Sequence, residues 1–242
     1  MRCDQDGQRS GQLRITTGAL AALLLATVPA GAAERSVGIG SFQRLRIEGP
    51  FEVAVTAGPP SARMSGDRRA IEAVEVRLDG ATLVVRPGAG PWGERGGATA
   101  GPIRISLATP ALAAAQSTGG ARITVARMRA ERVDLTVAGA GAIAATGVDA
   151  GEIVGTLAGA GKLTLAGRAR RARLVRNGEG TLDAAALDAG DVLLAADGIG
   201  DTAARARYTA QVSNTGVGQV TVSGDAKCAV RGGGPITCGA GR

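Results

Sequence analysis

The sequence predicts an all-β protein that folds as a parallel β-solenoid with coils of about 20 residues. Gly-x-Gly triplets recur down the second half of the chain, and their first glycines lie 20, 19, 20 and 18 residues apart. Apolar residues alternate with other residues around the triplets, which is typical of strands with one buried face. Because glycine takes positive φ without steric cost, it is favoured at a sharp corner that recurs in every coil. The predicted corner glycines are Gly139, Gly141, Gly159, Gly161, Gly178, Gly180, Gly198, Gly200, Gly216 and Gly218.

The interior of this solenoid is expected to be narrow, because the chain is poor in large side chains. Aromatic residues make up only 2% of the sequence, whereas it contains 39 glycines. A large globular core normally uses more Phe, Tyr and Trp to fill its volume. A disordered, low-complexity segment could be equally rich in Gly and Ala, but it would not preserve two-residue alternation around evenly spaced glycines.

The N-terminal part of the mature chain, residues 41–102, is predicted to form a β-cap that leads into the solenoid. Apolar alternation on both sides of Gly49 predicts a β-hairpin over residues 41–58. Residues 67–75 fit either one helical turn or a bent strand. A second hairpin is predicted where an Asp-Gly dipeptide begins at Asp79, because this dipeptide is typical of two-residue hairpin turns.

The boundary between cap and coils is predicted at a loop over residues 87–102, which is rich in Gly and Pro and contains Trp92. The coils then run from about residue 103 to about residue 240. No shift in composition marks a second domain. Cap and coils are therefore expected to form a single domain over residues 41–242.

The first 32 residues are predicted to be a signal peptide that is removed on export. Arg2, Arg9 and Arg14 precede a short apolar stretch, and the residues from Ala30 to Ala32 form an Ala-x-Ala cleavage site. The apolar stretch is too short to span a bilayer, so no transmembrane segment is expected after cleavage. The mature protein is therefore expected in the periplasm, on the cell surface or outside the cell.

The two cysteines that remain after export are predicted to form a disulfide. Cys3 leaves with the signal peptide, whereas Cys228 and Cys238 flank the last glycine-rich corner in an oxidising compartment. A solenoid needs a cap at its end, and a disulfide here would staple the final coil. Closing so short a loop stabilises a fold by about 2–3 kcal/mol in the chain-entropy account.

The charge balance favours anionic partners. The formal net charge is +7, and it is +6 once three Arg, Asp4 and Asp6 have left with the signal peptide. Acidic polysaccharide and lipid headgroups fit this charge, and nucleic acid is not expected as a partner of an exported protein. The strongest run of positive charge, predicted to be a weak anion patch, consists of Arg168, Arg170, Arg171 and Arg173.

A second interpretation of the charges is a structural ladder between coils. Counted from the corners, Arg127, Arg168 and Arg207 hold equivalent places in alternate coils, and Asp149 and Asp188 hold nearly the same place in the coils between them. Opposite charges on neighbouring strands stabilise each other. The predicted row fails if the aspartates lie on a different face from the arginines.

Polar residues beside the corners form a candidate ligand row. It consists of Asn177, Glu179, Asp197, Asp201 and Asn214, which hold similar places in successive coils. Such a row could bind sugar hydroxyls. The alternative is turn chemistry, because Asn and Asp are favoured beside tight bends.

Catalytic, cofactor-binding and metal-binding residues are not predicted. With no His and only two Cys after export, the sequence offers no zinc site. The triplets at Gly139 and Gly198 fit a relaxed dinucleotide fingerprint. That fingerprint requires a helix after the glycines, and strand alternation follows them here.

The order of segments resembles the head GIN domain family of auto-transporter adhesins. The matching segments are FQRLRIEGPFEVAVTAG (residues 42–58), ATLVVRPG (residues 81–88) and IRISLATPAL (residues 103–112), followed by the glycine corners. The resemblance covers nearly all of the mature chain. It implies a right-handed parallel β-helix and carries no catalytic residues over. Family members typically have Ser-Gly-Ser-Gly-Asp at the corners, and here Asp follows a corner only at Asp201.

The function predicted from the sequence is that of an exported, non-catalytic binding or structural protein of the cell envelope. It is expected to be adhesin-like and to contact polysaccharide or another envelope protein. One alternative is a polysaccharide lyase or hydrolase whose acids would be Glu179, Asp183, Asp197 and Asp201. Another is a self-assembling scaffold, since the ends of a solenoid expose unpaired strands.

Overall fold

The structure is a computed structural model that describes residues 33–88 and 101–239. Of these described residues, 69% lie in strands and 3% in helix, and the strands form a β-solenoid of about 6 turns. The predicted all-β parallel solenoid is therefore confirmed. The predicted signal peptide and most of the loop around Trp92 lie outside the described residues.

Short strands form the N-terminal half of the described chain, and long, bent strands form most of the other half. The first elements are β1 Ala33–Val37, β2 Arg44–Glu48, β3 Glu52–Ala57, β4 Ser61–Gly66, α1 Arg68–Glu72, β5 Val74–Asp79 and β6 Thr82–Pro87. They are followed by β7 Arg104–Thr109, β8 Ala114–Thr118, β9 Arg122–Val125, β10 Met128–Ala138 and β11 Ala142–Ala158. The last are β12 Lys162–Asn177, β13 Thr181–Asp197, β14 Thr202–Asn214, β15 Val220–Ser223, β16 Lys227–Arg231 and β17 Ile236–Cys238.

Each long coil has three sides, which we define on β12. The first side, residues 162–165, follows a glycine corner, the second covers residues 167–169, and the third, residues 171–177, leads to the next corner. The pairing register of β12 with its neighbours shifts before the second side, which marks the first bend. Inward and outward positions change parity at the second bend, where Arg170 and Arg171 are both exposed. Each side pairs in parallel with the same side of the next coil.

The N-terminal coils are stacked in an order that differs from their order along the chain. β2 lies between β6 and β8, and β3 lies between β7 and β9, all in parallel pairings. β2 and β3 are thus the third and first sides of one coil, joined by a corner at Gly49. The hairpin predicted over residues 41–58 is therefore wrong. Apolar alternation around a glycine is the same for a hairpin and for a coil corner, so the local pattern could not separate them.

Antiparallel strands cap the N-terminal end of the stack. β4 pairs with β7 and β1 pairs with β4, while β5 and β6 form the predicted hairpin after Asp79. The region that fitted a helical turn or a bent strand is helix α1. Its N-cap is Asp67, whose side chain accepts a hydrogen bond from the backbone N–H of Ala70 at 3.1 Å. The cap is therefore made of β1, β4, α1 and β5.

Stacking, as well as backbone conformation, explains the corner glycines. Gly178 has φ of +113°, and a Cβ atom there would lie 2.8 Å from the carbonyl oxygen of Gly159 in the preceding coil. Gly180 lacks a positive φ, but a Cβ atom there would collide with the carbonyl oxygen of Gly161. The first glycine of a triplet thus serves the turn and the stacking, and the second serves the stacking alone.

Inward side chains form columns that run from coil to coil. On the first side, Ile143, Leu163, Leu182 and Val220 belong to one column and are fully buried. Thr202 interrupts this column with a buried hydroxyl group. Each added coil therefore extends a continuous apolar core by burying the same positions again.

The C-terminal end is closed by the predicted disulfide between Cys228 and Cys238, which is confirmed. The two Cα atoms are 6.3 Å apart. Cys228 continues the inward column of Ala210 on the third side, and Cys238 continues that of Val222 on the first side. The bond therefore joins two sides of the last coil across the end of the core.

Candidate functional site

The charge ladder runs along the second side of the coils. Asp149 is in register with Arg129 and Arg168, and the side-chain distances to these arginines are 2.8 Å and 3.0 Å. Asp188 is in register with Arg168 and forms an ion pair with Arg207 at 3.3 Å. The predicted row of alternating charge is confirmed apart from its first member. Arg129 takes the place predicted for Arg127 for two reasons. Ala121, and not Gly120, stacks beside Gly141, and the path from the first side to the second is one residue longer here than in the coil of Arg168.

The two arginines hold the pKa of Asp149 well below its usual range. Hydrogen bonds from Arg168 and Arg129 are the largest causes, their charges add to the effect, and desolvation opposes it. The hydrogen bond to Asp149 in turn raises the pKa of Arg168. Asp149 and Arg168 are therefore both charged over the physiological pH range.

The arginine run predicted as an anion patch is divided between two sides of the coil. Arg168 pairs with Asp149, and Arg170 pairs with Glu131 across two strands. Arg171 lies beyond the bend, in register with Glu152 and Asp191. The remaining member of the run, Arg173, points outward from the third side. The four arginines do not form one surface of unpaired charge.

The predicted polar row is also divided. Asn177 and Asp197 are in register, and the next place belongs to Thr215, whose hydroxyl donates to Asp197 at 3.1 Å. Asp201 lies on the other side of the corner, where it accepts from the backbone N–H of Gln219 at 3.1 Å. Glu179 is exposed at the middle of the corner triplet that begins at Gly178, between the side of Asn177 and the side of Asp201. These hydrogen bonds stabilise the corners of the coils.

Asn214 does not belong to the predicted row, because it points into the core. It is fully buried, and its amide donates to the carbonyl groups of Gly218 at 2.9 Å and Pro235 at 3.0 Å. Its side-chain oxygen accepts from the N–H of Gly216 at 3.2 Å. Asn214 lies one residue before Thr215, which holds the place next to Asp197. In a strand, a shift of one residue turns the side chain to the opposite face.

Arg176 is a buried cation that the sequence analysis missed. It occupies an inward column between Leu157 and Ala196 and is fully buried. Its guanidinium donates to the hydroxyl of Thr202 at 2.9 Å and to the carbonyl groups of Gly178 and Asp197, both at 2.8 Å. The alternation Ala172, Leu174, Arg176 places it on the inward face, and this parity was the available signal.

The environment of Arg176 lowers its pKa, because burial desolvates the guanidinium. The charges of Asp201 and Asp197 oppose this effect. One terminal nitrogen, Nη2, has no hydrogen-bond partner within the described residues. Arg176 therefore links two successive corners from inside, through the carbonyl group of Gly178 in one and that of Asp197 beside the next, and it forms no ion pair with a residue that the structure describes.

A shallow groove of about 430 Å³ lies on the third side and was not foreseen from the sequence. We call it the third-side groove. It runs across β12, β13, β14 and β16, and its outward residues include Arg173, Val175, Leu193, Ala195, Gln211 and Arg231. These residues come from four coils, and only the stacking register brings them together.

No metal site forms within the described ranges. No three His, Cys, Asp or Glu side chains in residues 33–88 and 101–239 come together in a way that could hold a metal ion. Asp183 accepts a hydrogen bond from the backbone N–H of Ala185 at 3.1 Å, which is a local turn contact. Neither described range contains a helix with the length and apolar character that a bilayer crossing requires.

The fold and surface define a repeat protein of the β-solenoid class, whose stacked coils present extended sides. Residues 41–226 match the family model described as "Putative auto-transporter adhesin, head GIN domain". The chain therefore belongs to the head GIN domain family, as its resemblance to that family implied. No curated protein matches this sequence.

Solved structures of proteins from Bacteroides and Parabacteroides species have the same fold. A putative adhesin from Bacteroides fragilis is 18% identical, with a TM-score of 0.77 and coverage of 86% of this chain and 96% of the other. A putative lipid binding protein from Parabacteroides distasonis is 15% identical, with a TM-score of 0.70 and coverage of 88% and 98%. A putative adhesin from the same species is 16% identical, with a TM-score of 0.65 and coverage of 85% and 95%. At these identities the likeness shows the fold alone.

Proposed function

We propose that this protein is an adhesin-like, non-catalytic binding protein of the bacterial cell envelope, which contacts an envelope polysaccharide or another envelope protein. Membership of the head GIN domain family supports a binding role. The observation that carries the proposal is the third-side groove, where Arg173 and Arg231 line an outward surface with no carboxylate among the lining residues. A basic, partly apolar surface of this kind favours acidic partners.

The other charged surfaces support the groove as the binding site. Arg129, Arg168 and Arg207 are held by aspartates of neighbouring coils, and Arg170 is held by Glu131. Ion pairs within the protein leave these groups less available to a ligand. Neither Arg173 nor Arg231 forms an ion pair with any residue that the structure describes.

The test is a binding screen with the oxidised mature protein against arrayed glycans and against envelope proteins separated by electrophoresis. We expect salt-sensitive binding to an acidic target, and its loss in the double variant Arg173→Gln/Arg231→Gln. The matched control is Arg63→Gln/Arg205→Gln, which removes two exposed arginines that lie outside the groove. If the protein binds neither an arrayed glycan nor an envelope protein, the proposal is contradicted.

We also propose that the protein has no catalytic activity. Asp197 and Asp201, the main catalytic candidates of the enzyme alternative, each accept a hydrogen bond from the next coil. We expect no new reducing ends or unsaturated sugars when the protein is incubated with acidic polysaccharides. Product formation that disappears in Asp197→Ala/Asp201→Ala would establish the enzyme alternative instead.

Export to the periplasm or cell surface is part of the same proposal. We expect the N-terminus of the protein isolated from cells to begin after Ala32 or Ala33, as the predicted signal peptide requires. N-terminal sequencing measures this directly. Protease added to intact cells would then distinguish surface display, where the protein is cleaved, from the periplasm, where it is protected.

A further inference from the structure

The third-side groove has an arginine at each of its two diagonally opposite ends. Arg173 lies on β12 and Arg231 lies on β16, three strands further along the stack and one outward column across. At about 4.8 Å between strands, the two Cα positions are about 14 Å apart along the stack. The second column adds about 7 Å along the strands, since outward positions are two residues apart. Both arginine side chains are exposed.

The floor between the two arginines is mainly aliphatic. Leu193 is 43% exposed, exposed Ala195 is the next outward residue on the same strand, and exposed Ala229 lies two strands away in the column of Leu193. Gln211 and Ser213 supply polar groups in the same columns. A large aliphatic side chain left exposed in such a floor gains from contact with an apolar group of a partner.

We propose that this groove binds an extended acidic segment of a partner protein, in which two acidic residues flank an apolar one. The inference rests on the proposed function and deepens it by naming the partner class. An extended chain rises about 3.3 Å per residue, so acidic side chains at positions i and i+4 face the same way about 13 Å apart. The two offsets together place the Cα atoms of Arg173 and Arg231 about 16 Å apart, and the long arginine side chains can close the difference from about 13 Å. The apolar residue at i+2 then lies over the floor that contains Leu193.

The chemistry of the floor favours a protein segment over a polysaccharide. Sites for sugars use aromatic faces and many hydrogen-bonding groups, and the lining residues include no aromatic side chain. A single-headed anionic lipid would use one arginine and leave the other without a partner. A second copy of this chain fits poorly, because the edge strand β16 that borders the groove carries Lys227 and Arg231.

The experiment is selection from a displayed library of random peptides about twelve residues long, which can span the groove when extended. Selection uses the oxidised wild-type protein, with counter-selection on Arg173→Gln/Arg231→Gln. We expect enriched peptides to carry Asp or Glu at i and i+4 and Leu, Ile, Val or Met at i+2. A synthetic peptide of this pattern should bind the double variant about tenfold more weakly, since two exposed ion pairs are lost.

Three controls make the result specific. Arg63→Gln/Arg205→Gln should bind the peptide as the wild type does, and Leu193→Ser should weaken binding without changing its dependence on salt. Replacing both acids of the peptide by Gln should remove the salt dependence, because the charges that salt screens are gone. Circular dichroism of each variant confirms that the fold is retained.

The inference is overturned if no enriched peptide depends on the two arginines, or if the enriched peptides lack the acidic pair. It is also overturned if polygalacturonate, or vesicles containing phosphatidylglycerol, bind through the same arginines while the peptides do not. If the envelope binding screen succeeds and is unaffected by Arg173→Gln/Arg231→Gln, the proposed function stands and this inference fails. If peptides of the expected pattern bind but no envelope component does, the inference about the groove stands and the proposed function fails.

Discussion

Arg176 places a cation in an inward column whose other buried polar members include Asn214. Its neighbours in the stack are Leu157 and Ala196, and its hydrogen bonds reach a hydroxyl group and two corner carbonyl groups. A buried charge without an ion pair is costly to desolvate, so its hydrogen bonds to the backbone must offset that cost. The side chain thus couples one coil to the corner of the next.

We expect Arg176→Ala to destabilise the fold by about 2–4 kcal/mol, because it leaves a cavity and removes donors from buried carbonyl groups. Arg176→Met, which keeps most of the volume, should be less destabilising. Urea unfolding monitored by circular dichroism measures both variants. Arg173→Ala is the exposed control, and Arg176→Ala losing no more stability than this control would contradict the account.

Asp149 should make stability depend on pH in the acidic range. Its pKa is lowered in the folded protein, so its contribution is present above the unfolded pKa of about 4 and is lost as pH falls through the folded value. The difference in Tm between wild type and Asp149→Asn should therefore be constant near neutral pH and shrink below about pH 4. A difference that grows on acidification would contradict this assignment.

The charge ladder shows how far positions in the stack could be predicted by counting residues from the glycine corners. The alternation of Asp149, Arg168, Asp188 and Arg207 was predictable, because each coil repeats at nearly fixed length. Arg127 was misplaced by two residues, since the sequence alone shows neither that Ala121 rather than Gly120 stacks beside Gly141 nor that the coil of Arg168 is one residue shorter at its first bend. Asn214 was misplaced by one residue, and in a strand one residue changes an exposed ligand candidate into a buried corner contact.

At the scale of the coil, the two glycines of a triplet have different roles. The first has a positive φ at four of the five triplets, from Gly139 to Gly198, whereas the second is excluded from carrying a side chain by the carbonyl group below it. The repeat of glycine in the sequence therefore reports close stacking as well as turning. The middle residue of each triplet is free of both constraints, which explains why Ala, Glu, Ile and Val all occur there.

We expect Gly180→Ala to destabilise the fold by about 1–3 kcal/mol, because its Cβ atom would push against the backbone of the preceding coil. Glu179→Ala, at the exposed middle position of the same triplet, is the matched control and should change stability by less than about 0.5 kcal/mol. Chemical denaturation of the two variants measures the difference. Equal effects would show that close stacking does not explain the second glycine.

For the whole molecule, the two ends of the stack are closed by different means. Antiparallel strands and α1 cover the N-terminal end, whereas Cys228 and Cys238 join two sides of the last coil. In a solenoid each coil contacts only its neighbours, so stability at the ends depends on such caps. β16 also carries Ala229 and Arg231, which makes the groove depend on the disulfide.

Replacing both cysteines, Cys228→Ser/Cys238→Ser, should lower stability by about 2–3 kcal/mol, since the unfolded chain is no longer constrained. Hydrogen exchange should rise first in β16 and β17, which have no further coil to protect them. Mass spectrometry of peptides from these strands measures this change. Uniform loss of protection from β8 to β17 would instead indicate that the solenoid opens as one cooperative unit.

The sequence by itself determined the repeating features of this protein: the coil length, the alternating strands, the glycine corners and the disulfide. These follow from patterns within one coil or from the ordering of equal coils, which stacking preserves. Tertiary structure alone decided that β2 lies between β6 and β8, that Arg176 and Asn214 face the core, and that the third-side groove exists. Each of these depends on the register between strands distant in the chain, where a shift of one residue turns a side chain to the opposite face.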